Sequence, residues 1–145
     1  RKYENERIGV NSRLDELQAA FLSIKLPFLD QENQVRRAIA KRYLSEIKNP
    51  KIVLPYWDQT NNHVFHQFVI RTENREELVQ YLKENGIETM IHYPIPPHKQ
   101  KALKEWNHLS FPITEKIHDE ILSLPLSPVM TVDEVDFLIA TLNKY

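Results

Sequence analysis

The stretch Gly9-Val10-Asn11-Ser12-Arg13-Leu14-Asp15-Glu16-Leu17-Gln18-Ala19-Ala20-Phe21 contains a helix start and the first turns of an apolar stripe. Asn11 or Ser12 suits the N-cap, where a short side-chain oxygen accepts from a free N–H of the first turn. Asp15 and Glu16 then set negative charge against the helix dipole. Leu14, Leu17, Phe21, Ile24 and Phe28 recur at helical spacing, and Ala19, Ala20 and Leu22 widen the stripe. Pro27 lacks a backbone donor and crowds the preceding turn, so it interrupts or kinks the helix. The pattern resumes through Val35, Ile39, Tyr43 and Ile47, with Arg36, Arg37, Lys41 and Arg42 on an opposite, solvated face. Two helices, or one long kinked helix, are expected over 12–48.

Beyond this the period changes. Asn49-Pro50 ends the helical run, and a loop through Pro55 leads to His63-Val64-Phe65-His66-Gln67-Phe68-Val69-Ile70-Arg71, which reads as a strand. Asn74 caps a helix over 75–85 that Gly86 closes at the C′ position. A second strand is expected over 87–93. Pro94, Pro96 and Pro97 then forbid regular structure and impose an extended loop. Short helices follow over 98–106 and 113–123, then a short strand at Leu124-Pro125-Leu126. A final amphipathic helix over 132–143 starts at Thr131 and Asp133. Helices and strands in this order predict an α+β domain, a small sheet covered on one face by helices. No internal repeat is visible.

Bulk properties narrow the function classes. The 145 residues suffice for one domain with a real core, and 41% hydrophobic with 27% charged residues is an ordinary globular balance. A net charge of -1 gives no electrostatic reason to expect nucleic acid or an anionic membrane surface. No apolar run approaches a membrane span, and no signal-peptide pattern is present. With no cysteine there are no disulfides, thiolate metal sites or cysteine nucleophiles, which is compatible with the cytoplasm. Two glycines exclude Gly-rich phosphate loops, so any phosphate must be met by side chains or a helix N-terminus. The opening residues Arg1-Lys2-Tyr3-Glu4-Asn5-Glu6-Arg7 are charged and patternless, as expected for a chain cut inside a larger protein or for a solvated tail.

Few residues suit chemistry. His63 and His66 stand three apart on the expected strand, so one should face the core and the other solvent. His92 and His98 flank Tyr93-Pro94-Ile95-Pro96-Pro97, a stiff loop well suited to presenting polar side chains, although no carboxylate beside them in sequence supports a zinc site. His108 and His118 read as surface residues. Asn11-Ser12-Arg13 would suit a phosphate, through helix N–H groups, an amide and a guanidinium. Lys25 sits in an apolar helical stretch but next to Pro27, where it should snorkel to solvent rather than act as a nucleophile.

From Gly9 through Ala20 the sequence resembles the DegT/StrS type of sugar aminotransferase, in which a G-x-N-x-R-x-x-x-x-Q-A-A stretch opens the helix leading into the C-terminal domain. The resemblance continues through Tyr43, the 63–71 segment, Gly86-Ile87-Glu88-Thr89, Ile91 to His98, and Leu122-Ser123-Leu124-Pro125. It covers essentially the whole chain. The proline loop and the Asn11 to Asp15 stretch are most similar to enzymes that aminate dTDP-3-keto-6-deoxyhexoses.

The resemblance implies the small C-terminal domain of a fold-type I enzyme. Residues 1–10 would be the end of the large cofactor domain, 11–48 the linking helix, and 49–145 the small domain. It implies a homodimer with shared active sites, pyridoxal 5'-phosphate as cofactor, and a nucleotide-sugar substrate aminated from glutamate in deoxysugar and polysaccharide biosynthesis. By the same resemblance Asn11 would reach the cofactor phosphate of the neighbouring subunit, and Arg13 would support that site. His92, Tyr93 and His98 would line the sugar-nucleotide pocket. The family's cofactor-bearing lysine, the aspartate facing the pyridine nitrogen and the stacked aromatic have no counterpart here. The chain by itself is therefore expected to be inactive and to hold the cofactor poorly. The other readings are a stand-alone ligand-binding or assembly domain and a histidine-based metal site.

Overall fold

The computed structural model describes residues 4–10 and 14–145. Helix α1 (Glu16–Lys25) passes through a 3₁₀ turn (Leu26–Phe28) into α2 (Leu29–Glu46), then come β1 (Phe68–Arg71) and α3 (Arg75–Glu84). Two 3₁₀ segments, Pro97–Lys99 and Lys101–Trp106, precede α4 (Pro112–Glu120), β2 (Ile121–Leu124) and α5 (Val132–Lys144). The expected interruption at Pro27 is the 3₁₀ turn, with the proline in its first turn. Asn11 and Ser12 lie outside the described residues. The cap of α1 is Asp15, whose Oδ1 accepts from the Gln18 N–H at 2.7 Å, so this aspartate caps the helix rather than joining its first turn.

β1 and β2 pair antiparallel, with Phe68 opposite Leu124 and Arg71 opposite Ile121. Single bridges extend the pair on both sides, Val53 to Arg71 and Met90 to Ser123, each closed by two backbone hydrogen bonds. Helices α2, α3 and α5 send Tyr43, Leu78, Leu82, Leu138 and Leu142 into one core with Phe68 and Ile70. Tyr43 is fully buried, meets the Phe68 ring edge-on at 5.1 Å, and donates its hydroxyl to the Pro125 carbonyl at 2.9 Å. Burial without a neighbouring charge able to compensate pushes its phenol well above the usual range.

Two ends were legible to the residue. Gly86 closes α3 with φ +75°, and the Ile87 and Gly86 N–H groups reach the Leu82 and Lys83 carbonyls at 2.8 and 3.0 Å, a Schellman arrangement. Thr131 opens α5 with a reciprocal capping box to Glu134.

The strands are shorter than expected. Residues 63–67 form an irregular loop instead: Phe65 takes a positive φ of 49°, its N–H donates to His63 Nδ1 at 2.9 Å, and its ring is buried against Trp57 and Phe68. The expected alternation fails with it, because His63 and His66 are both exposed. The strand expected over 87–93 contracts to the Met90 bridge. The last strand falls at Ile121–Leu124, since Pro125 has no N–H to continue the ladder; α4 accordingly stops at Glu120.

Among the described residues, α1 buries none of its side chains. Leu17, Phe21, Leu22 and Ile24 are 57–68% exposed. The basic face of α2 is more engaged than expected, with Arg42 paired to Glu46 at 2.7 Å and Asp136 at 2.6 Å, and Arg36 donating to the Leu126 carbonyl. Among the described residues no helix is long and apolar enough to cross a membrane.

Candidate functional site

The proline loop leaves the sheet at the Met90 bridge, and histidine contacts are among those that hold it. His92 Nδ1 lies 3.0 Å from Ser123 Oγ, on the strand that Met90 bridges. The Tyr93 carbonyl lies 2.5 Å from His118 Nδ1 on α4. His98, 5% exposed, places Nε2 2.8 Å from Glu115 Oε1 and packs its ring edge-on against Phe111 at 4.9 Å. Prolines remove the loop's own donors, so these side chains from β2 and α4 supply the ties that a sheet would otherwise give.

Glu115 is the hub of the third tie. It accepts the Phe111 N–H at 3.0 Å as well as the His98 ring, and these two hydrogen bonds, the backbone one foremost, hold its carboxyl below the usual carboxylate range. The 97–99 turn that carries His98 is closed by the Lys99 and Gln100 N–H groups bonding back to the Pro96 and Pro97 carbonyls.

Against the loop lies the segment 4–8. The Asn5 N–H donates to Gln100 Oε1 at 3.0 Å, the Asn5 carbonyl accepts from the Ala102 N–H at 2.7 Å, and Lys101 pairs with Glu4 at 2.8 Å. Between segment and loop is a cavity of about 590 Å³ whose lining includes Arg7, Ile8, Tyr93, Ile95, Gln100 and His118. An aromatic face, aliphatic walls, an amide and a guanidinium in one hollow suit a ligand that combines a flat ring with an anionic group.

Of the residues expected to line a pocket, Tyr93 is 60% exposed and does line this cavity. His92 and His98 instead turn toward Ser123 and toward Glu115 with Phe111. Asn11 and Arg13 lie outside the described residues. Sequence reasoning missed Arg7, Gln100 and His118: Arg7 sits in a patternless opening, and His118 reaches Tyr93 across 25 residues with no local motif to announce it. His118 is also half-buried rather than the surface residue expected.

Other clusters are occupied with structural pairings. Lys116 and Arg71 share Glu120 at 3.5 and 2.9 Å beside a hollow of about 310 Å³. Among the described residues no three metal-type side chains gather at one point. Every described lysine, Lys25 included, is exposed.

Comparison with known proteins bears on the whole chain. The sequence model of the DegT/DnrJ/EryC1/StrS aminotransferase family matches residues 1–143. The chain is 58% identical over 145 residues to the dTDP-3-amino-3,6-dideoxy-alpha-D-galactopyranose transaminase of Aneurinibacillus thermoaerophilus, covering 100% of this chain and 40% of that protein. Its fold matches S. venezuelae DesV, solved in complex with a ketimine intermediate, at a TM-score of 0.84 and 39% identity over 99% of this chain and 40% of that one. NtdA from Bacillus subtilis with bound cofactor PMP matches at 0.80 and 33% identity, over 92% of this chain and 33% of that one. The chain thus spans about 40% of the length of the curated relatives it matches.

Proposed function

Because the chain belongs to the DegT/DnrJ/EryC1/StrS aminotransferase family, we propose that it is the C-terminal part of an enzyme that moves an amino group from glutamate to a nucleotide-linked keto-deoxysugar. The observation that carries this reading is the 58% identity, along the entire chain, to a transaminase named for a dTDP-linked amino-dideoxygalactose. The cavity beside Tyr93 supports it, since a nucleotide-sugar offers the flat base and the anionic diphosphate that such a lining would receive.

In this reading residues 1–10 end a large cofactor domain, 11–48 link it to the small domain, and 49–145 form the small domain. The cofactor is pyridoxal phosphate, held mainly by the preceding part of the protein. Asn11 and Arg13 meet its phosphate in the neighbouring subunit of a cytoplasmic homodimer. Tyr93 contacts the nucleotide-sugar, and His92 and His98 support that wall from behind, His92 through Ser123 and His98 by keeping the loop on α4 through Glu115. The bare apolar face of α1 supports an assembly of this kind, because a stripe of that size in water is ordinarily covered by more protein. The chain alone is inactive.

Borohydride reduction of the whole protein with pyridoxal phosphate, followed by peptide mapping, tests the reading. A labelled lysine upstream of Arg1 and none within this chain is expected, together with glutamate-dependent amination of a dTDP-linked 3-keto-6-deoxyhexose. A labelled lysine inside this chain, or no labelled lysine at all, overturns it.

A further inference from the structure

We propose that His118 is a positioning residue for the substrate pocket, fixing Tyr93 by donating from Nδ1 to the Tyr93 carbonyl. A carbonyl oxygen can only accept, so the 2.5 Å contact places the proton on Nδ1. The backbone that carries the imidazole is itself tied down. Arg75, the first residue of α3, donates from Nη1 to the His118 carbonyl at 2.5 Å, and its side chain is 12% exposed. The last turn of α4 is thereby tied to the start of α3, and His118 stands on a backbone that cannot drift from the core.

The Tyr93 ring is 60% exposed, and the residue is followed by prolines that supply no backbone donors of their own. Without the imidazole, the carbonyl would turn to water and the aromatic wall of the cavity would sample more orientations. The cost would fall on binding rather than on the reacting atoms, because a ligand would have to reorder Tyr93 before packing on it. The inference rests on the reading that Tyr93 meets the nucleotide-sugar.

The two ring nitrogens allow a discriminating test on the full-length protein, because His118 lines the cavity and its Nε2 could act there directly. His118→Asn keeps a donor at the δ position and removes the ε position; His118→Gln does the reverse. Loss of one neutral hydrogen bond predicts that His118→Gln raises KM for the nucleotide-sugar about five- to tenfold with kcat within about twofold, while His118→Asn, which keeps the δ donor, raises KM at least about threefold less than His118→Gln does. Independently of any variant, nitrogen NMR of the histidine-labelled protein should find the neutral His118 ring protonated on Nδ1. Equal behaviour of the two variants, the opposite ranking, or a ring protonated on Nε2 overturns the proposal. Tyr93→Ala separates the two ideas. If it leaves KM unchanged, the pocket reading falls and His118 with it. If it raises KM while His118→Gln does not, only the positioning role falls.

Discussion

Replacing Tyr43 by Phe removes one oxygen from the centre of the core and leaves the ring in place. The hydroxyl donates to the Pro125 carbonyl at 2.9 Å from a side chain that is fully buried. Deleting the donor loses a hydrogen bond worth about 1 kcal/mol net and leaves a half-buried carbonyl short of a partner, so the cost at pH 8 should be about 1.5 kcal/mol. The edge contact with Phe68 at 5.1 Å is retained, and this is why the figure stays well below that of a large-to-small core change. The same burial sets a pH dependence. Because the folded-state phenol titrates above its unfolded value, the unfolded chain alone loses this proton above about pH 10, and the stability it contributes is lost as pH rises. At pH 11 that linkage removes roughly 1.4 kcal/mol from the unsubstituted chain and nothing from Tyr43→Phe. Urea unfolding at both pH values should therefore show a gap near 1.5 kcal/mol at pH 8 that closes almost completely at pH 11. A gap that is the same at both pH values would mean that Tyr43 titrates as a solvated phenol, and the account of the core would be wrong.

Glu115 carries an acid-limb prediction. Its folded carboxyl is held below the usual range by the Phe111 N–H and the His98 ring, so its contribution is present above the unfolded value and lost as pH falls through the lower folded one. Glu115→Gln should flatten the stability curve below about pH 4; an acid limb parallel to that of the unsubstituted chain refutes it. Thr131→Ala removes both the side-chain acceptor for the Glu134 N–H and the hydroxyl it donates to Glu134, at an exposed position, and should cost about 1 kcal/mol with faster amide exchange in the first turn of α5. Leu17→Glu with Phe21→Glu should leave the urea midpoint of this chain unchanged while lowering its binding of an apolar dye, because both side chains are exposed on a helix with no buried residue. A drop in midpoint would show that α1 is packed after all.

The helices were legible because their signals are local. Pro27, Gly86 and Thr131 each act on the turn they occupy, and the 3₁₀ break, the Schellman end and the capping box all fall where those residues stand. The apolar repeat through Ile39, Tyr43 and Ile47 likewise marked the buried face of α2. The strands were not legible to the same degree. A run such as 63–71 has β propensity throughout, but only 68–71 found a partner strand, and Phe65 satisfied its bulk by turning into the core instead. Propensity describes what a segment can do, whereas pairing depends on what lies beside it.

For the site the division is similar. The proline loop stood out from its own residues, and Tyr93 does open onto a cavity. The fate of the flanking histidines could not be read from the same stretch, because their partners Ser123, Glu115 and Phe111 lie 13 to 31 residues away, on β2, on α4 and just before α4. By itself, then, the sequence determined the break at Pro27, the close of α3, the start of α5, the stiff loop and the family, all of which rest on local sterics or on order along the chain, while the cap of α1, the end of α4 and the 3₁₀ form of 97–106 were not read from it. Tertiary structure alone decided that Arg7, Gln100 and His118 share a hollow with Tyr93, that His98 is spent on Glu115, and that α1 is left bare. Those outcomes are set by distances between residues far apart in the chain, which folding fixes through packing and hydrogen bonding rather than through any pattern a single segment can carry.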